Sequence, residues 1–412
     1  MADRTLLVVS RRPLEFGGGG SARWQHLRSA LPRHGWRVVE CSPRVGLTAN
    51  ESSTDPRAAR LAAGRAEVMA VVGRSIDPLA RLLRVKPEAF APNNAWALTG
   101  RRLVRNAIAR ERPDVVVATS PPPSALFATA SVAGNTPFVA DVRDLWAGNP
   151  YYDRGSRVLA SLEGRALSGT AAVVTVTEGC RVNLLALHPE LKARLRVFPN
   201  GFDPTLLGRR LPIASRGDRP ATLIHAGALY GDRAPQALLN ALARPEMQGR
   251  VQLQLLGAVD GKTRTMVKDL PEVDVTISAP IPWDGAIERV LAADVAVVIN
   301  APETGGDMAL PTKLYEALAL GRPVLALARA GSDTARLLEH FGLQAGVADP
   351  GDARSIAAAI ERLLADPPPP VPPEALAEFD RDRIAARYAA LLDEVATRSS
   401  NATSSGTTFS RR

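Results

Sequence analysis

The chain has 412 residues, enough for two or three domains at the usual size of roughly 150 residues each. Hydrophobic residues make up 46% and charged residues 23%, which is typical of a globular protein, and no apolar run approaches the ~20 residues of a membrane span. The two cysteines exclude a disulfide framework and fit a reducing cytosol, so we expect a cytoplasmic protein without a structural metal.

The net charge of +9 favours anionic partners such as nucleotide diphosphates or an acidic membrane surface. The arginines are scattered along the chain, and no zinc-finger or RNA-binding aromatic pattern occurs, so the sequence argues against nucleic acid as a partner. A peripheral contact with the inner face of a membrane stays open at this point.

The N-terminal segment predicts a strand, a glycine loop, a helix and a second strand. Residues 5–9 (TLLVV) are apolar throughout, Gly17 to Gly20 form a loop, and the helix is expected to run to about His34, where Gly35 ends it before the strand 36–40 (WRVVE). A glycine loop that opens a helix lets the backbone approach a phosphate or a sugar closely. The glycines lack the G-x-G-x-x-G order, so a flexible surface loop is the alternative.

The next informative region contains a basic helix and two apolar strands that are followed by polar and charged residues. Residues 97–112 predict a helix whose arginines form a solvated face or, alternatively, a patch for lipid phosphates. The apolar runs 114–120 and 137–142 predict buried strands, and ligands in open α/β sheets lie beyond the carboxyl ends of strands. We therefore expect the side chains that follow these strands to line a ligand site: Thr119, Ser120, Arg143, Asp144 and Trp146. A structural ion pair that includes Asp141 is the alternative.

A turn-rich segment, VFPNGFDP (197–204), divides the chain. The alternation of strands and helices on both sides of it predicts an α/β fold with two Rossmann-like domains and a cleft between them. We predict a first domain over 1–205, a second over 206–377, a long helix over 378–396 and a Ser/Thr-rich disordered tail over 397–412.

The segment DMALPTKLYEALALGRPVLAL (307–327) carries the strongest signal. Pro311 suits the first turn of a helix, Gly321 suits its end, and VLAL (324–327) is a buried parallel strand. A loop that opens a helix at the edge of such a sheet presents free N–H groups and the positive end of a helix dipole, which suits a phosphate or a sugar hydroxyl. An ordinary βαβ connection with Glu316 on its surface is the alternative.

Three motifs resemble family 4 of the glycosyltransferases, which have the GT-B fold: PTKLYEALALGRPVLA (311–326), VFPNGFD (197–203), and the glycine loop with its helix and HGW (34–36). The resemblance covers nearly the whole chain. It implies that the enzyme moves a sugar from a nucleotide-diphosphate sugar to an acceptor hydroxyl with retained configuration and with no metal or other cofactor. It also implies that the helix 378–396 completes the first domain. The acceptor is open: a glycan, a lipid-linked molecule or a small molecule.

The resemblance also assigns roles to individual residues. Family members have two glutamates eight residues apart, and Glu316 matches the second, which contacts the ribose of the donor. Met308 stands where the family has the first. Arg143 and Asp144 stand where many members have His-Asp. An arginine donates hydrogen bonds but does not share a proton as histidine does, so no histidine base is expected there.

Without a metal, the charge of the leaving phosphate must be met by the protein. Positive helix ends, Arg233, Lys313 and the N–H groups of residues 308–312 are expected to do this. The candidate catalytic residues are Arg143, Asp144 and Lys313. The candidate donor-binding residues are Gly18, Gly19, Gly227, Arg233, Ile281, Met308, Leu310, Pro311, Thr312 and Glu316.

Other interpretations are a catalytically inactive relative that only binds, a GT-B nucleotide-sugar epimerase or hydrolase, and a sugar phosphorylase. An epimerase would need an acid–base set of histidine or carboxylate groups near the cleft, and no such set has clear spacing. The five histidines, at 26, 34, 188, 225 and 340, are scattered. No lysine-bound pyridoxal motif supports a phosphorylase.

Overall fold

The computed structural model describes residues 4–11, 14, 19–43, 92–149, 153, 155–212, 217–229, 233–301 and 306–404. The chain divides into two compact units. The first unit comprises Met1–Val176, Cys180–Pro199 and Ala385–Arg412, and the second comprises Thr177–Gly179 and Asn200–Ile384.

The first unit contains a parallel sheet, whose strand order over the described residues is β2-β1-β3-β4-β5-β6. The six strands are β1 (Arg4–Val9), β2 (Trp36–Cys41), β3 (Val115–Ser120), β4 (Phe138–Val142), β5 (Ala172–Thr175) and β6 (Leu195–Val197). Strands β3, β4 and β5 are buried at every residue, as expected for a parallel sheet that is covered on both faces. This confirms the predicted α/β class for the first half of the chain.

The helices that follow these strands are α1 (Gly19–Ala30), α2 (Pro92–Glu111), α3 (Ser124–Ala130), α4 (Arg157–Ser168) and α5 (Glu178–Leu187). Helix α1 already begins at Gly19, so the predicted glycine loop ends earlier than expected. The α-helix also ends at Ala30, and a 3₁₀ turn continues to His34. Pro32 explains this change, because it has no N–H for an α-helical hydrogen bond. Gly35, with φ of +80°, then ends the helical segment as predicted.

The second unit contains another parallel sheet, with the order β12-β11-β10-β7-β8-β9 over the described residues. Its strands are β7 (Ala221–Ala226), β8 (Val251–Leu256), β9 (Val275–Ser278), β10 (Val295–Ile299), β11 (Val324–Leu327) and β12 (Val347–Ala348). Its helices are α6 (Gln236–Leu242), α7 (Gly261–Lys268), α8 (Trp283–Ala292), α9 (Thr312–Ala319), α10 (Asp333–His340) and α11 (Ala353–Ala365). Two parallel six-stranded sheets with helices confirm two Rossmann-like halves.

The most informative sequence segment folds as predicted, with one shift at its start. Pro311 is the residue before helix α9, in an extended conformation, and the helix itself begins at Thr312. Gly321 has a φ of +68° and lies at the turn into β11, which is the role predicted for it. The segment therefore places Lys313 and Glu316 in the first two turns of a helix that starts at the carboxyl edge of the sheet.

The contacts place the start of the second unit at Asn200 and its end at Ile384, somewhat outside the predicted limits of 206 and 377. Phe202 and Phe379 explain the difference. The N–H of Phe202 donates to the carbonyl of Phe379 at 2.9 Å, and both rings belong to the apolar cluster that contains Tyr315 of α9. The two chain segments at the boundary are thereby fixed to the second unit.

The last helix, α12 (Arg381–Ser404), is longer than the sequence predicted. The prediction of a disordered tail over 397–412 is wrong for residues 397–404, and residues 405–412 lie outside the described part of the chain. One contact favours the extension: the guanidinium of Arg398 pairs with the carboxylate of Glu394 at 2.6 Å. Side chains four residues apart on a helix stabilise it in this way.

Across the described ranges, no helix is both long enough and apolar enough to cross a bilayer.

Candidate functional site

The carboxyl edge of the second sheet brings Gly227, His225 and Lys313 into contact. Gly227 follows β7 with a φ of +151°, and a Cβ at this position would collide with Nζ of Lys313. Nζ of Lys313 lies 2.9 Å from Nε2 of the buried His225 side chain. The positive φ favours glycine at 227, and any larger residue there would displace Nζ of Lys313, so the loop after β7 and the start of α9 pack against each other.

Burial, and next the positive charge of Arg233, lowers the pKa of Lys313 from 10.5 to about 7, while Glu316 opposes the shift. Burial, followed by the charge of Lys313, lowers the pKa of His225 well below its ordinary value. Nδ1 of His225 donates to the carbonyl of Val297 at 3.1 Å, which leaves Nε2 as the acceptor for Lys313. A neutral His225 therefore accepts a hydrogen bond from Lys313 and orients it, and it adds no second positive charge beside the ammonium group.

Glu316 lies one turn after Lys313 on α9 and is half-buried. Its Oε1 accepts a hydrogen bond of 2.9 Å from Nε1 of Trp283, the first residue of α8. Ile281 lies just before Trp283 and is 40% exposed. A carboxylate held by one oxygen keeps its other oxygen for a ligand hydroxyl.

The buried side-chain amide of Asn300 fixes the loop before α9 by hydrogen bonds. Nδ2 of Asn300 donates to the carbonyl of Gly306 at 3.2 Å and to Oγ1 of Thr334 at 2.9 Å. The Thr334 hydroxyl donates in turn to the carbonyl of Ala309 at 2.8 Å. This network fixes the chain that leads to Met308, Leu310 and Thr312.

The predicted role of the N–H groups of residues 308–312 needs a correction. The N–H of Ala309 donates to the carbonyl of Gly306 at 3.1 Å and is not free for a ligand. Pro311 has no N–H at all. The prediction therefore narrows to the N–H groups of the remaining residues and to the side chain of Lys313.

In the first unit, a buried charge cluster lies at the carboxyl end of β4. The Asp141 carboxylate is fully buried and pairs with the Arg23 guanidinium at 3.2 Å. It also accepts hydrogen bonds from Nε1 of Trp24 and from the Thr119 hydroxyl. Nε of Arg143 donates to the Thr119 hydroxyl at 3.1 Å. The cluster links α1, β3 and β4, and it orients Arg143.

Asp144 follows Arg143 and is exposed, whereas Arg143 is half-buried and its pKa is lowered by burial, with Asp141 and Asp144 opposing the shift. The loop that carries both residues is shaped by Glu163 of α4. One oxygen of Glu163 accepts from the backbone N–H groups of Trp146 and Ala147 at 3.3 and 3.2 Å. A buried carboxylate thus fixes the loop from the inside.

The predicted residues fall into two groups. Gly227, Lys313 and Glu316 lie together in the second unit, with Arg233 close enough to affect the pKa of Lys313. Arg143 and Asp144 lie in the first unit, Gly19 is the first residue of α1, and Gly18 lies outside the described residues. Among the described residues, no three or more His, Cys, Asp and Glu side chains group together as a metal site.

Two residues of this site, His225 and Trp283, are not among the residues predicted from the sequence. His225 could have been found, because it stands at the end of an apolar strand, two residues before a glycine. Trp283 could not be linked to Glu316 from spacing, since the two are 33 residues apart.

Two family models match the chain. Residues 17–206 match Glycosyltransferase Family 4, and residues 220–366 match Glycosyl transferases group 1. The chain belongs to glycosyltransferase family 4. The two matches cover the glycine loop, the loop of Arg143, and the region that contains Lys313, Glu316 and Trp283.

Solved structures confirm that the fold is GT-B. Sucrose-phosphate synthase (tll1590) from Thermosynechococcus elongatus is 17% identical, with 98% of each chain covered and a TM-score of 0.60. Anabaena Alr3699/HepE in complex with UDP-glucose is 18% identical, with 97% of this chain and 99% of that chain covered and a TM-score of 0.56. A putative UDP-N-acetylglucosamine 2-epimerase from Listeria monocytogenes is 13% identical, with 96% and 97% covered and a TM-score of 0.53. A comparison with curated protein sequences gave no significant match.

Proposed function

We propose that this family 4 glycosyltransferase moves a sugar from a nucleotide-diphosphate sugar to an acceptor hydroxyl, with retained configuration and without a bound metal. Family membership supports the reaction class. The observation that carries the proposal is the position of Lys313: its ammonium group lies against Gly227 and one helical turn from Glu316, at the carboxyl edge of the second sheet. Such an edge is where α/β proteins bind nucleotides.

In the proposed complex, the diphosphate lies over Gly227 and Lys313. An adjacent dianion raises the pKa of Lys313, so that the lysine is fully charged when the donor is bound. The start of α9 adds the positive end of its dipole. Glu316 accepts hydrogen bonds from the ribose hydroxyls, and Trp283 holds its carboxylate in place.

In the proposed reaction, the bond between the anomeric carbon and the phosphate oxygen breaks while the acceptor oxygen forms a bond to the same face of that carbon. The proton of the acceptor hydroxyl passes to the leaving phosphate, so no side-chain nucleophile is needed. Lys313 stabilises the charge that develops on the phosphate. Arg143 is proposed to donate hydrogen bonds during catalysis, and Asp144 stays a predicted catalytic residue.

A thermal-shift panel of UDP, GDP, ADP and dTDP, with and without EDTA, tests this proposal. HepE has been solved with UDP and with UDP-glucose, so UDP and its sugars are the first ligands to use. A ligand at about 100 times its dissociation constant adds about 2.7 kcal/mol to stability. One nucleotide with a large shift that EDTA leaves unchanged supports the proposal. No shift with any nucleotide contradicts it and favours a relative without a donor site.

The product separates a transferase from an epimerase. The protein is incubated with UDP-N-acetylglucosamine and no acceptor. A transferase leaves the sugar nucleotide unchanged, whereas an epimerase inverts one carbon of the sugar, which NMR detects. The Listeria protein shares only the fold at 13% identity, so we place transfer first. Release of nucleoside diphosphate that depends on an added acceptor supports transfer.

Replacement of Glu316 by alanine is expected to weaken donor binding about 10- to 100-fold, because hydrogen bonds to a charged group contribute about 1.5–3 kcal/mol. The variant should unfold at nearly the same temperature as the wild type, since Glu316 is only half-buried. Calorimetric titration with the preferred nucleotide measures the effect. Glu339→Ala, an exposed glutamate on α10, is the matched control. Unchanged affinity in Glu316→Ala would show that the ribose site lies elsewhere.

A further inference from the structure

Trp283 stands apart from the other tryptophans of the chain. Trp24, Trp36, Trp96 and Trp146 are between 0% and 8% exposed, whereas Trp283 is 41% exposed. Trp283 is the first residue of α8 and follows the loop after β9, so it lies at the carboxyl edge of the second sheet. An exposed indole at this edge offers a flat aromatic surface on which a planar group can stack.

The hydrogen bond to Glu316 fixes the orientation of this ring. An indole N–H donates in the plane of the ring, so the edge of Trp283 faces Oε1 of Glu316, with Nε1 at 2.9 Å. Neither face of the ring is used by this hydrogen bond. Ile281, also 40% exposed, extends the apolar surface.

Glu316 is the link between the two other side chains. Lys313 and Glu316 are three residues apart on α9 and therefore lie on the same helix face. Trp283 contacts Glu316 directly. A nucleoside diphosphate has its parts in the same order: an anionic diphosphate for the ammonium group, ribose hydroxyls for the carboxylate, and a flat base for the indole.

We propose that Trp283 stacks on the base of the donor nucleotide and at the same time holds Glu316 for the ribose. The inference rests on the proposed donor site at Lys313 and Glu316. Stacking of a base on an aromatic side chain is tolerant of base identity, so it supplies affinity for the nucleoside half of the donor. The hydrogen bond between Trp283 and Glu316 links the residue that stacks on the base to the residue that contacts the ribose.

The first test uses the intrinsic fluorescence of the protein. Because the other tryptophans are buried, a base that stacks on Trp283 is expected to quench the exposed part of the emission. The quenching should saturate at the dissociation constant that calorimetry gives for the same nucleotide, with UDP as the first probe. It should be absent in Trp283→Phe, which keeps an aromatic ring but has no indole at this position.

The second test separates base stacking from a general structural role. Trp283→Ala is expected to weaken UDP binding about tenfold or more, with inorganic pyrophosphate affinity unchanged, because pyrophosphate has no base. Trp283→Phe should lose less affinity than Trp283→Ala. Leu211→Ala is the control, since Leu211 is an exposed apolar residue of the same unit, 58% exposed.

These measurements distinguish a failure of the role proposed for Trp283 from a failure of the proposed donor site. Calorimetric nucleotide binding without quenching, and with equal affinity in Trp283→Ala, overturns the role of Trp283 while the donor site stands. An equal loss of affinity for UDP and pyrophosphate in Trp283→Ala shows a structural role and also overturns it. No binding of any nucleotide to the wild type overturns the donor site and this inference together.

Discussion

Replacing Lys313 by methionine is expected to lower kcat about 10²- to 10³-fold, the usual effect of removing one group that stabilises developing charge. Methionine has a similar length and no charge, so it keeps the packing against Gly227 and leaves the leaving phosphate without its cation. The measurement is the initial rate of nucleoside diphosphate release with saturating donor and acceptor. Lys262→Met, an exposed lysine on α7, is the control and should keep the wild-type rate.

The same lysine gives the donor site a pH dependence with a definite sign. In the free protein the pKa of Lys313 is about 7, because burial and Arg233 disfavour its charge. A bound diphosphate raises that pKa, so binding above pH 7 takes up a proton. Affinity for a nucleoside diphosphate should therefore fall about tenfold per pH unit above pH 7, up to the pKa of the bound state. In Lys313→Met this fall should be absent.

Folding stability should change with pH in the opposite sense. The pKa of Lys313 is lower in the folded protein than its ordinary value of 10.5, so between these values the unfolded chain binds more protons. The contribution of Lys313 to stability therefore rises as the pH rises from about 7 towards 10.5. Urea denaturation of the wild type and of Lys313→Met at several pH values measures the difference. An identical pH dependence in both proteins would contradict a lowered pKa of Lys313 in the folded protein.

The sequence predicted those parts of this site that depend on local patterns. The helix with Lys313 and Glu316 begins and ends near the predicted residues, because Pro311 and Gly321 determine the backbone on either side of it. The resemblance to family 4 then identified Glu316 as the ribose contact and Gly227 as part of the donor loop. Both stay predictions for the donor complex.

The sequence did not predict contacts between distant residues. His225 and Lys313 are 88 residues apart, and no spacing rule links them. The lowered pKa of Lys313 follows from this packing, so it could not be predicted either. The end of α12 was missed for another reason: a Ser/Thr-rich composition favours disorder, whereas the pair of Glu394 and Arg398 stabilises a further turn.

The cluster at Asp141 shows how one sequence pattern can hide two roles. Among Asp141, Arg143 and Asp144, the sequence left a structural ion pair as the alternative to a catalytic set. Asp141 forms that ion pair, but its partner is Arg23 of α1. Nε of Arg143 donates to the Thr119 hydroxyl, which in turn donates to Asp141, and Asp144 is exposed.

Asp141→Asn is expected to lower the free energy of unfolding by about 3–5 kcal/mol, because it leaves the buried Arg23 without a counter-charge. The guanidinium is 1% exposed and lies 5.7 Å from the centre of the Tyr388 ring. In the described part of the chain it has the ion pair with Asp141 but makes no hydrogen bond. Asparagine keeps the shape of aspartate, so loss of charge is the main change. Thermal unfolding should begin roughly 10 °C lower.

Asp144→Asn is the matched control for this prediction, since its carboxylate is exposed in the same loop and should change stability by no more than about 0.5 kcal/mol. The double variant Arg23→Met with Asp141→Asn gives the sharper test. Removing both partners of a buried pair costs less than removing one, because no unpaired charge is left. The double variant should therefore be more stable than Asp141→Asn alone. If instead the two changes add, Asp141 acts through its hydrogen bonds to Trp24 and Thr119 and not through the ion pair.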